Sequence, residues 1–429
     1  MSREMLITHA SQLVTLSGPA RARIGSEMRQ LAIVQDGALL VRGGRIAEVG
    51  TSTEIEKHAS ANAEKVDAAG RVVMPGFVDP HTHPVFAGTR EDEYEMRAQG
   101  LTYQEIAGRG GGIRSTVKKT RAASERELFE MALPRVRWLL EHGTTTIEAK
   151  SGYGLTVEDE LKILRVIRRL DDQTSLQLVP TFLGAHEIPD EYRGFSSGAT
   201  REDYVRLVVD DMLPRVAAES LARYADVFCE SHVFNVEESR RVLVRARELG
   251  LGLRLHADQL SLSGGSRLAA ELGAATADHL EWVDDSGIRA LAAAGTIAVL
   301  LPGAVFNLGL ARYPPALAMI EAGLAVALAT DFNPGSSPTP SMQMILSIAC
   351  TQMRMTPAEA ITAATINPAY SVGLGPEVGS LEAGKEADVV IFDCEDYRQI
   401  PYFYGINHAE VVIKQGRVVS RRPEAEPQG

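Results

Sequence analysis

The sequence predicts an α/β protein, a (β/α)8 TIM-type barrel with a small β-sandwich domain formed from both termini. Its central region alternates short apolar runs with amphipathic helical patterns, whereas both ends are rich in strand-forming residues. The length of 429 residues suits a barrel of roughly 250 residues with additions. We expect the sandwich to comprise residues 1–70 and 376–429, and the barrel residues 71–375.

Eight apolar or β-branched runs supply the predicted barrel strands. Because such runs alternate with amphipathic helices, they are typical of a parallel sheet that is buried on both faces. Their number favours closure into a barrel over an open sheet. The runs are Val72–Val78, Thr144–Glu148, Leu176–Leu183, Ala225–Cys229, Gly252–His256, Ala274–Asp278, Ile297–Leu301 and Leu324–Thr330.

Three of the intervening helices carry N-terminal capping signals. Ser124 precedes Glu127 by three residues, which is the capping-box spacing, and the helical pattern that follows ends at Gly143. A second helix begins at Thr156, and a third runs from Asn235 to Gly250. These signals place helices between the predicted strands.

Hairpin patterns lie near both ends of the chain. The segment Leu39–Gly50 contains two β runs joined at Gly43-Gly44, and Ala409–Ser420 contains two joined by a Gln-Gly turn. The run Gly384–Asp393 is also β-rich. A single small domain built from both termini explains this distribution.

The composition limits the classes of partner. The formal charge of −12 argues against nucleic-acid binding but allows a small anionic substrate. Three cysteines are too few and too scattered for a disulfide framework, so we expect reduced thiols. Since the sequence shows neither a signal peptide nor a long apolar segment, we expect a soluble cytoplasmic protein without membrane contact.

Metal-binding residue types concentrate at the predicted C-terminal ends of strands, where barrel enzymes place their chemistry. His81 and His83 are two apart in an extended segment, so their side chains project to the same side. His256 and Asp331 each end an apolar strand. A mixed imidazole and carboxylate set without cysteine favours a catalytic site for one Zn²⁺ or Fe²⁺ ion per chain.

This pattern predicts hydrolysis by a metal-activated water. Asp331 is expected to bind metal through one oxygen and to accept the water's proton with the other, and His279 to stabilise the oxyanion or move the proton. Two alternatives to these roles stay open. His81 and His83 could be surface histidines in a loop, and His279 could make only a supporting hydrogen bond.

Several motifs together resemble the amidohydrolase superfamily and, within it, the imidazolonepropionase family of histidine degradation. The resemblance covers the whole chain and rests on PGFVDPHTHPVFAGTREDEYEMR, GGGIRSTVKKTR, EHGTTTIEAKSGYGL, TFLGAHEIP, HADQLS, ADHLE and ATDFNPGSSPTPSM. It implies hydrolysis of the ring amide of 4-imidazolone-5-propanoate to N-formimidoyl-L-glutamate. It also implies zinc or iron, a cytoplasmic setting and a homodimer.

By motif, the resemblance assigns His81, His83, His256 and Asp331 as metal ligands. It implies substrate contacts from Arg90, Tyr103, Tyr153, His186, Asn333, Gly335 and Ser336. A guanidinium such as Arg90 suits a propionate tail. Arg90 could instead form a surface ion pair with Glu91 and Asp92, and Tyr103 could serve only in packing. Because the resemblance places Tyr153 and not Lys150 in the site, we expect a single metal and no carbamylated lysine.

One position departs from the family pattern. Some members have Glu three residues after the His of HAD, where this chain has Gln259. An amide cannot act as a general base, so Gln259 retains only a substrate-binding role and proton transfer is assigned to Asp331 and His279. Two alternatives stay open: another cyclic amide hydrolase or aromatic-base deaminase of this superfamily, and a catalytically inactive barrel scaffold.

Overall fold

The computed structural model describes residues 3–101, 105, 111–194 and 198–423. Its strands form two separate sheets. In chain order the strands are β1 (Glu4–Val14), β2 (Ile33–Arg42), β3 (Arg45–Thr51), β4 (Glu64–Asp67), β5 (Val72–Pro75), β6 (Phe77–Thr82), β7 (Thr144–Lys150), β8 (Gln177–Ala185), β9 (Tyr224–Cys229), β10 (Gly252–Leu253), β11 (His256–Ala257), β12 (Thr276–His279), β13 (Ile297–Leu300), β14 (Val326–Leu328), β15 (Val389–Phe392), β16 (Ala409–Lys414) and β17 (Arg417–Arg421).

Strands β6 to β14 form the parallel barrel. Its order is β14-β13-β12-β11-β9-β8-β7-β6, and β10 pairs with β9, so β10 and β11 together occupy the fifth of eight positions. A parallel bridge between Thr82 and Phe332, with the His83 N–H donating to the Phe332 carbonyl at 2.8 Å, joins the last position to the first. This confirms the predicted barrel.

Helices follow most barrel strands and cover the outside of the sheet. The described α-helices are Ser52–Ile55, Glu91–Ala98, Ile113–Ala122, Glu125–Glu141, Val157–Gln173, Arg201–Arg206, Leu213–Ala218, Val236–Glu248, Gly265–Leu272, Asp285–Ala294, Pro302–Asn307, Ala316–Glu321, Met342–Gln352, Pro357–Ala364, Ile366–Ser371 and Gln399–Tyr402. Shorter 3-10 turns occupy Gly25–Arg29, Glu56–His58 and Asp190–Tyr192, and Leu207–Met212 is a π-helical segment. None of the described helices is both long and apolar enough to cross a membrane.

The predicted caps are present in the structure. The Ser124 hydroxyl accepts from the Glu127 N–H, and the Glu127 carboxylate accepts from the Ser124 N–H, at the start of Glu125–Glu141. Asn235 forms the same reciprocal pair with Glu238, and the Thr156 hydroxyl accepts from the Asp159 N–H. These local hydrogen bonds satisfy backbone donors that a helix N-terminus leaves unpaired.

The small sheet combines both ends of the chain, in the order β17-β16-β15-β5-β1-β2-β3 with β4 beside β1. Along β15, Val389 and Ile391 pack with Met5 and Ile7 in a core of their own. Val390 and Phe392, on the opposite face, pack into the main core of the barrel. The small sheet therefore folds over its own core and rests on the barrel with its second face.

The run predicted at Val72–Val78 as one barrel strand is divided in the structure, and that prediction was wrong. Val72–Pro75 pairs with β1 and β15 in the small sheet, and the barrel begins only at Phe77. Gly76 lies between the two strands and passes close to β7. A Cβ at this position would lie 2.4 Å from the Thr145 side chain, so the close approach requires glycine. The division of the chain into residues 1–70 with 376–429 and 71–375 stays a proposal, with β5 just inside the second range.

The three cysteines form no disulfide. Cys229 and Cys394 are buried, Cys350 is partly buried, and all three thiols are free, as predicted.

Candidate active site

Four histidines and one aspartate meet at the carboxyl end of the barrel. His81 lies in β6 and His83 just beyond it, His256 begins β11, His279 ends β12, and Asp331 follows β14. All five are buried. Parallel strands end at the same rim of a closed sheet, so residues distant in sequence converge there.

His81 is the common member of two groups of possible metal ligands. One group joins it to His83 and Asp331, the other to His256 and His279, and ligand atoms within each group lie within 4.8 Å of one another. Asp331 Oδ1 is 3.7 Å from Nε2 of both His81 and His83. The structure thus brings the four predicted ligands into one cluster and adds His279 to it.

Buried carboxylates orient two of these imidazoles. His81 Nδ1 lies 2.6 Å from Asp278 Oδ2, and this contact leaves Nε2 for another partner. His256 Nδ1 lies 3.0 Å from Asp226 Oδ2, and the backbone N–H of His256 donates to Asp226 Oδ1 at 3.1 Å. Carboxylate–imidazole pairs of this kind fix the ring position of metal-binding histidines.

The electrostatics keep the imidazoles neutral. Burial, followed by nearby positive charge, holds the pKa of His81 and His83 well below the usual range. Burial also lowers the pKa of His256 to about 4, against the opposing effect of Asp226. Neutral imidazoles have the lone pair that a metal ligand needs.

Several buried nitrogens in this cluster have no hydrogen-bond partner among the described residues. They are His81 Nε2, His83 Nδ1, His256 Nδ1 and His279 Nδ1. The Nδ1 atoms of His256 and His279 face Asp226 and Glu281, whereas His81 Nε2 faces Asp331 Oδ1 at 3.7 Å. An unpaired polar atom out of contact with water is costly, and coordination of a cation at His81 Nε2 would remove that cost. The donor set of imidazole nitrogens and one carboxylate therefore fits a divalent transition metal.

The backbone beside the cluster adopts conformations that L-residues rarely take. φ is +79° at His279, +68° at Leu280, +53° at Asp331 and +49° at Asp258. Each such residue costs free energy and persists only when its surroundings hold it. These conformations lie at the strand ends that carry the site.

The loop after β14 holds Asp331 in place. Ser336 Oγ donates to Asp331 Oδ2 at 3.2 Å, which leaves Oδ1 facing the histidines. The Asn333 amide donates to the Asp331 carbonyl and to Ser336 Oγ, and its oxygen accepts from the N–H groups of Gly335 and Ser336. The hydrogen-bonding groups of the Asn333 side chain are thus used within the loop itself.

Burial raises the pKa of the Asp331 carboxyl to about 6, although positive charge on His279 lowers it. His279 in turn lies 3.6 Å from Glu281 Oε1, and its pKa is raised because Glu281 and Asp331 outweigh the effect of burial. The Asp331 carboxyl therefore exchanges its proton closer to neutrality than an isolated carboxyl would.

Arg90 lies against the same loop and is not a surface residue. A Cβ on Gly335 would be only 2.1 Å from Arg90 Nη1, so the absence of a side chain at Gly335 makes room for the guanidinium. Arg90 Nη2 pairs with Glu93 Oε2 at 2.6 Å, and no ion pair to Glu91 or Asp92 is found among the described residues. Arg90 Nε is buried and has no hydrogen-bond partner in the described part of the chain. A free donor thus remains beside the site.

Tyr153 and His186 lie next to the histidine cluster. The His186 ring stacks on His83 with centroids 5.3 Å apart, and the Tyr153 ring lies 5.7 Å from His83. His186 Nδ1 bonds to the Gly152 carbonyl at 2.9 Å, which leaves Nε2 free. Burial raises the pKa of Tyr153, so its hydroxyl stays protonated and able to donate.

Gln259 is half-buried in the loop after β11. The buried Glu230 accepts from the Leu260 and Ser261 N–H groups and thereby fixes this loop. Tyr103, also expected to contact substrate, lies outside the described residues.

Sequence reasoning assigned no role to the charges beneath the cluster. Glu148, Lys150, Asp226, Arg254 and Asp278 are fully buried within the barrel. A charged residue inside an apolar strand, as in YADVFC or GLRLH, is the signal that could have revealed them, since an unpaired buried charge is costly. Lys150 Nζ is 2.8 Å from Glu148 and 2.7 Å from Asp226. Conversion to an anionic carbamate would place like charges together there, which agrees with the expected absence of a carbamylated lysine.

The amidohydrolase family model matches residues 72–419. The chain belongs to the amidohydrolase family. This amidohydrolase is 56% identical over 416 residues to the imidazolonepropionase of Solibacter usitatus, covering 97% of this chain and 98% of the relative. It is 51% identical over 419 residues to that of Symbiobacterium thermophilum, covering 97% of each. The resemblance to imidazolonepropionases and the prediction of an amidohydrolase enzyme are confirmed.

Solved structures confirm the fold of this amidohydrolase. A 5-methylcytosine deaminase from Klebsiella pneumoniae superposes with a TM-score of 0.73 at 18% identity, covering 99% of both chains. A zinc-bound adenosine deaminase from Xanthomonas campestris gives 0.70 at 18% identity, covering 97% of this chain and 92% of the other. Members of the family depend on metal, and the histidine cluster of this chain can bind one.

Proposed function

We propose that this chain hydrolyses the ring amide C–N bond of 4-imidazolone-5-propanoate to N-formimidoyl-L-glutamate in histidine degradation. The observation that carries the proposal is the pairing of two features at one barrel mouth. A buried imidazole–carboxylate cluster suits a hydrolytic metal, and Arg90, with an unpaired Nε, suits an anionic tail. The name of the relatives supports the same substrate.

We propose His81, His83, His256 and Asp331 as the ligands of one Zn²⁺ or iron ion. Such an ion would supply Lewis acidity and an acidic water at neutral pH. The chain's own contribution is to hold neutral imidazoles in fixed positions through Asp278 and Asp226.

Proton transfer falls to Asp331 and His279. The Asp331 carboxylate lies between the histidines and Ser336, with one oxygen toward each, so it is placed to accept the proton of a water at the cluster. His279, supported by Glu281, is placed to donate toward an oxygen that gains negative charge. Gln259 takes no part in proton transfer because an amide is not basic.

Substrate binding is proposed for the side chains around the cluster. Arg90 binds the propionate, Tyr153 and His186 donate to or accept from the ring, and Gln259 bonds a ring nitrogen or oxygen. Gly335 leaves space for the substrate, and Ser336 offers its hydroxyl. Tyr103 is also proposed to contact the substrate. Asn333 is proposed to shape its loop rather than to contact the ring through its side chain, since its amide is already fully bonded.

The decisive experiment incubates the zinc-loaded protein with 4-imidazolone-5-propanoate and follows N-formimidoyl-L-glutamate by mass spectrometry. Ammonia release from purines and pyrimidines is measured in parallel and supports a deaminase if it is the faster reaction. Asp331→Asn should lose turnover by at least about 10³-fold. Asp388→Asn is the matched control, because Asp388 is an equally buried aspartate that pairs with Lys414 in the small sheet. Near-normal turnover of Asp331→Asn with metal still bound would refute the assigned role.

We also propose a homodimer. Tyr402, Phe403, Tyr404 and Ile406 form an exposed apolar segment, with Tyr402 and Tyr404 73% and 74% exposed. Contiguous exposed apolar surface of this kind is typical of a protein interface. Light scattering after size-exclusion chromatography should give twice the 46.4 kDa chain mass, and Tyr404→Lys should shift the protein toward the monomer.

A further inference from the structure

Five charged side chains form a closed cluster beneath the candidate metal site. Glu148, Lys150, Asp226, Arg254 and Asp278 all have fully buried side chains. The three carboxylates and two cations come from four of five consecutive positions of the barrel, with β8 the position that contributes none. Burial of so many charges is tolerated only when each is paired.

Lys150 lies at the centre of this cluster. Its Nζ is 2.7 Å from Asp226 Oδ2, 2.8 Å from Glu148 Oε1 and 3.7 Å from Asp278 Oδ2. An ammonium group has three donors on a single atom, so it can hold several carboxylates at once. Arg254 is farther from the same acids, at 3.8 Å from Glu148 and 3.9 Å from Asp278, and donates mainly to the carbonyls of Pro80 and Ser371.

Two of the three carboxylates near Lys150, those of Asp226 and Asp278, contact histidines of the site. Asp226 Oδ2, which contacts Lys150, also lies 3.0 Å from His256 Nδ1. Asp278 Oδ2, the atom facing Lys150, lies 2.6 Å from His81 Nδ1. A shift of either carboxylate would therefore move an imidazole of the site.

We infer that Lys150 is a positioning residue for the metal site, acting through Asp226 and Asp278 on His256 and His81. It binds neither metal nor substrate. The inference rests on the proposed metal site and extends it to a residue one step further from the ion. Partners that orient metal ligands typically account for 10- to 100-fold in metal affinity.

Two effects of removing Lys150 would change the affinity for a divalent ion in opposite directions, and this makes the inference testable. Removing a cation below the site would strengthen the binding of a divalent ion by Coulomb attraction. Releasing Asp226 and Asp278 from their common partner would weaken it. The pair Lys150→Met with Glu148→Gln removes one positive and one negative charge together, so the net charge is kept and only the positional effect remains.

The experiment measures zinc affinity by competition with a chelator, and the visible spectrum of the cobalt-substituted protein, which reports ligand geometry. We compare wild type, Lys150→Met, Glu148→Gln and the double variant. Lys414→Met serves as the control, because Lys414 is a buried lysine that contacts Asp388 at 2.5 Å in the small sheet. The double variant should bind zinc at least about tenfold more weakly and show an altered cobalt spectrum. Lys414→Met should lower thermal stability and leave both metal readouts unchanged.

Two results would overturn the inference: a folded double variant with the zinc affinity and cobalt spectrum of wild type, or the same loss from Glu148→Gln alone. The double variant keeps the test valid if Lys150→Met fails to fold. If the wild-type protein itself binds no zinc or cobalt, the proposed metal site fails instead, and the two failures are thereby distinguished.

Discussion

Substitution of Gly335 by alanine tests whether the free space beside Arg90 determines substrate binding. The new Cβ would lie 2.1 Å from Arg90 Nη1, 2.8 Å from Cζ and 3.3 Å from Nη2. Since non-bonded heavy atoms pack at about 3.5–4.0 Å, the guanidinium has to move by roughly 1.5 Å. The clash is with the end of a flexible side chain, so we expect the fold to lose less than about 1 kcal/mol of stability.

A displacement of this size breaks hydrogen bonds to a bound carboxylate, because they weaken steeply beyond about 3.2 Å. Hydrogen bonds to charged groups contribute about 1.5–3 kcal/mol each. A net loss of about 2–3 kcal/mol corresponds to a KM that is roughly 30- to 150-fold higher. kcat should change much less, because Arg90 binds the tail and not the reacting amide.

The assay is steady-state hydrolysis of 4-imidazolone-5-propanoate by wild type, Gly335→Ala, Arg90→Ala and the double variant. If Gly335→Ala acts through Arg90, it should change KM by less than about twofold in the Arg90→Ala background. A stably folded Gly335→Ala enzyme with an unchanged KM, or effects that add fully in the double variant, would refute this reasoning.

Three further outcomes are expected. Glu359→Gln should cost about 1 kcal/mol at pH 7, because hydrogen bonds from Thr356 and the charge of Arg29 hold the pKa of Glu359 below its usual value despite burial. This contribution is present above the unfolded-state pKa and is lost as the pH falls through the folded value, so urea denaturation should show the gap closing below about pH 4. Gln259→Glu should keep kcat within about tenfold, a barrier change of roughly 1.4 kcal/mol, and a larger change would assign this position a part in proton transfer. Prolonged chelation should abolish turnover and one equivalent of zinc should restore it, whereas full activity of a protein proven metal-free would remove the proposed chemistry.

Local signals were sufficient for much of the fold. The alternation of buried strands and capped helices could be predicted because Ser124, Thr156 and Asn235 act within three residues of themselves. The glycine pair of the first hairpin was equally informative, since Gly43 and Gly44 both adopt positive φ between β2 and β3.

The boundary between the two sheets could not be predicted in the same way. Val72–Pro75 and the first two residues of Phe77–Thr82 are all apolar and buried, although the first segment belongs to the small sheet and the second to the barrel. Pairing with β1, about 60 residues earlier, and with β15, more than 300 residues later in the chain, assigns the first segment to the small sheet. Hydrophobic pattern gives burial but not the identity of the partner strand.

The candidate site shows the same division. His81, His256 and Asp331 could be predicted because polar residues at the ends of apolar strands need a reason to be there. The hydrogen-bonding state of Asn333 and the contact between Gly335 and Arg90 depend on how loops fold onto each other, and no local pattern encodes them. Motif resemblance named these residues, but it could not separate a loop-forming amide from one that contacts substrate.

The buried charges also explain why a divalent ion suits this barrel. Glu148, Asp226 and Asp278 exceed Lys150 and Arg254 by one negative charge, and Asp331 adds a second at the mouth. Unbalanced negative charge in a region without solvent is costly. The neutral imidazoles of His81 and His83 do not offset it, and His279, whose pKa is raised, offsets only the charge of Asp331. A dication bound at His81 and Asp331 would balance the excess negative charge from the mouth of the barrel, and Lys150 and Arg254 balance the carboxylates from inside the barrel. In this arrangement the metal ion that would activate water would also balance the buried carboxylates of the barrel interior, so metal binding and the stability of the barrel would depend on each other.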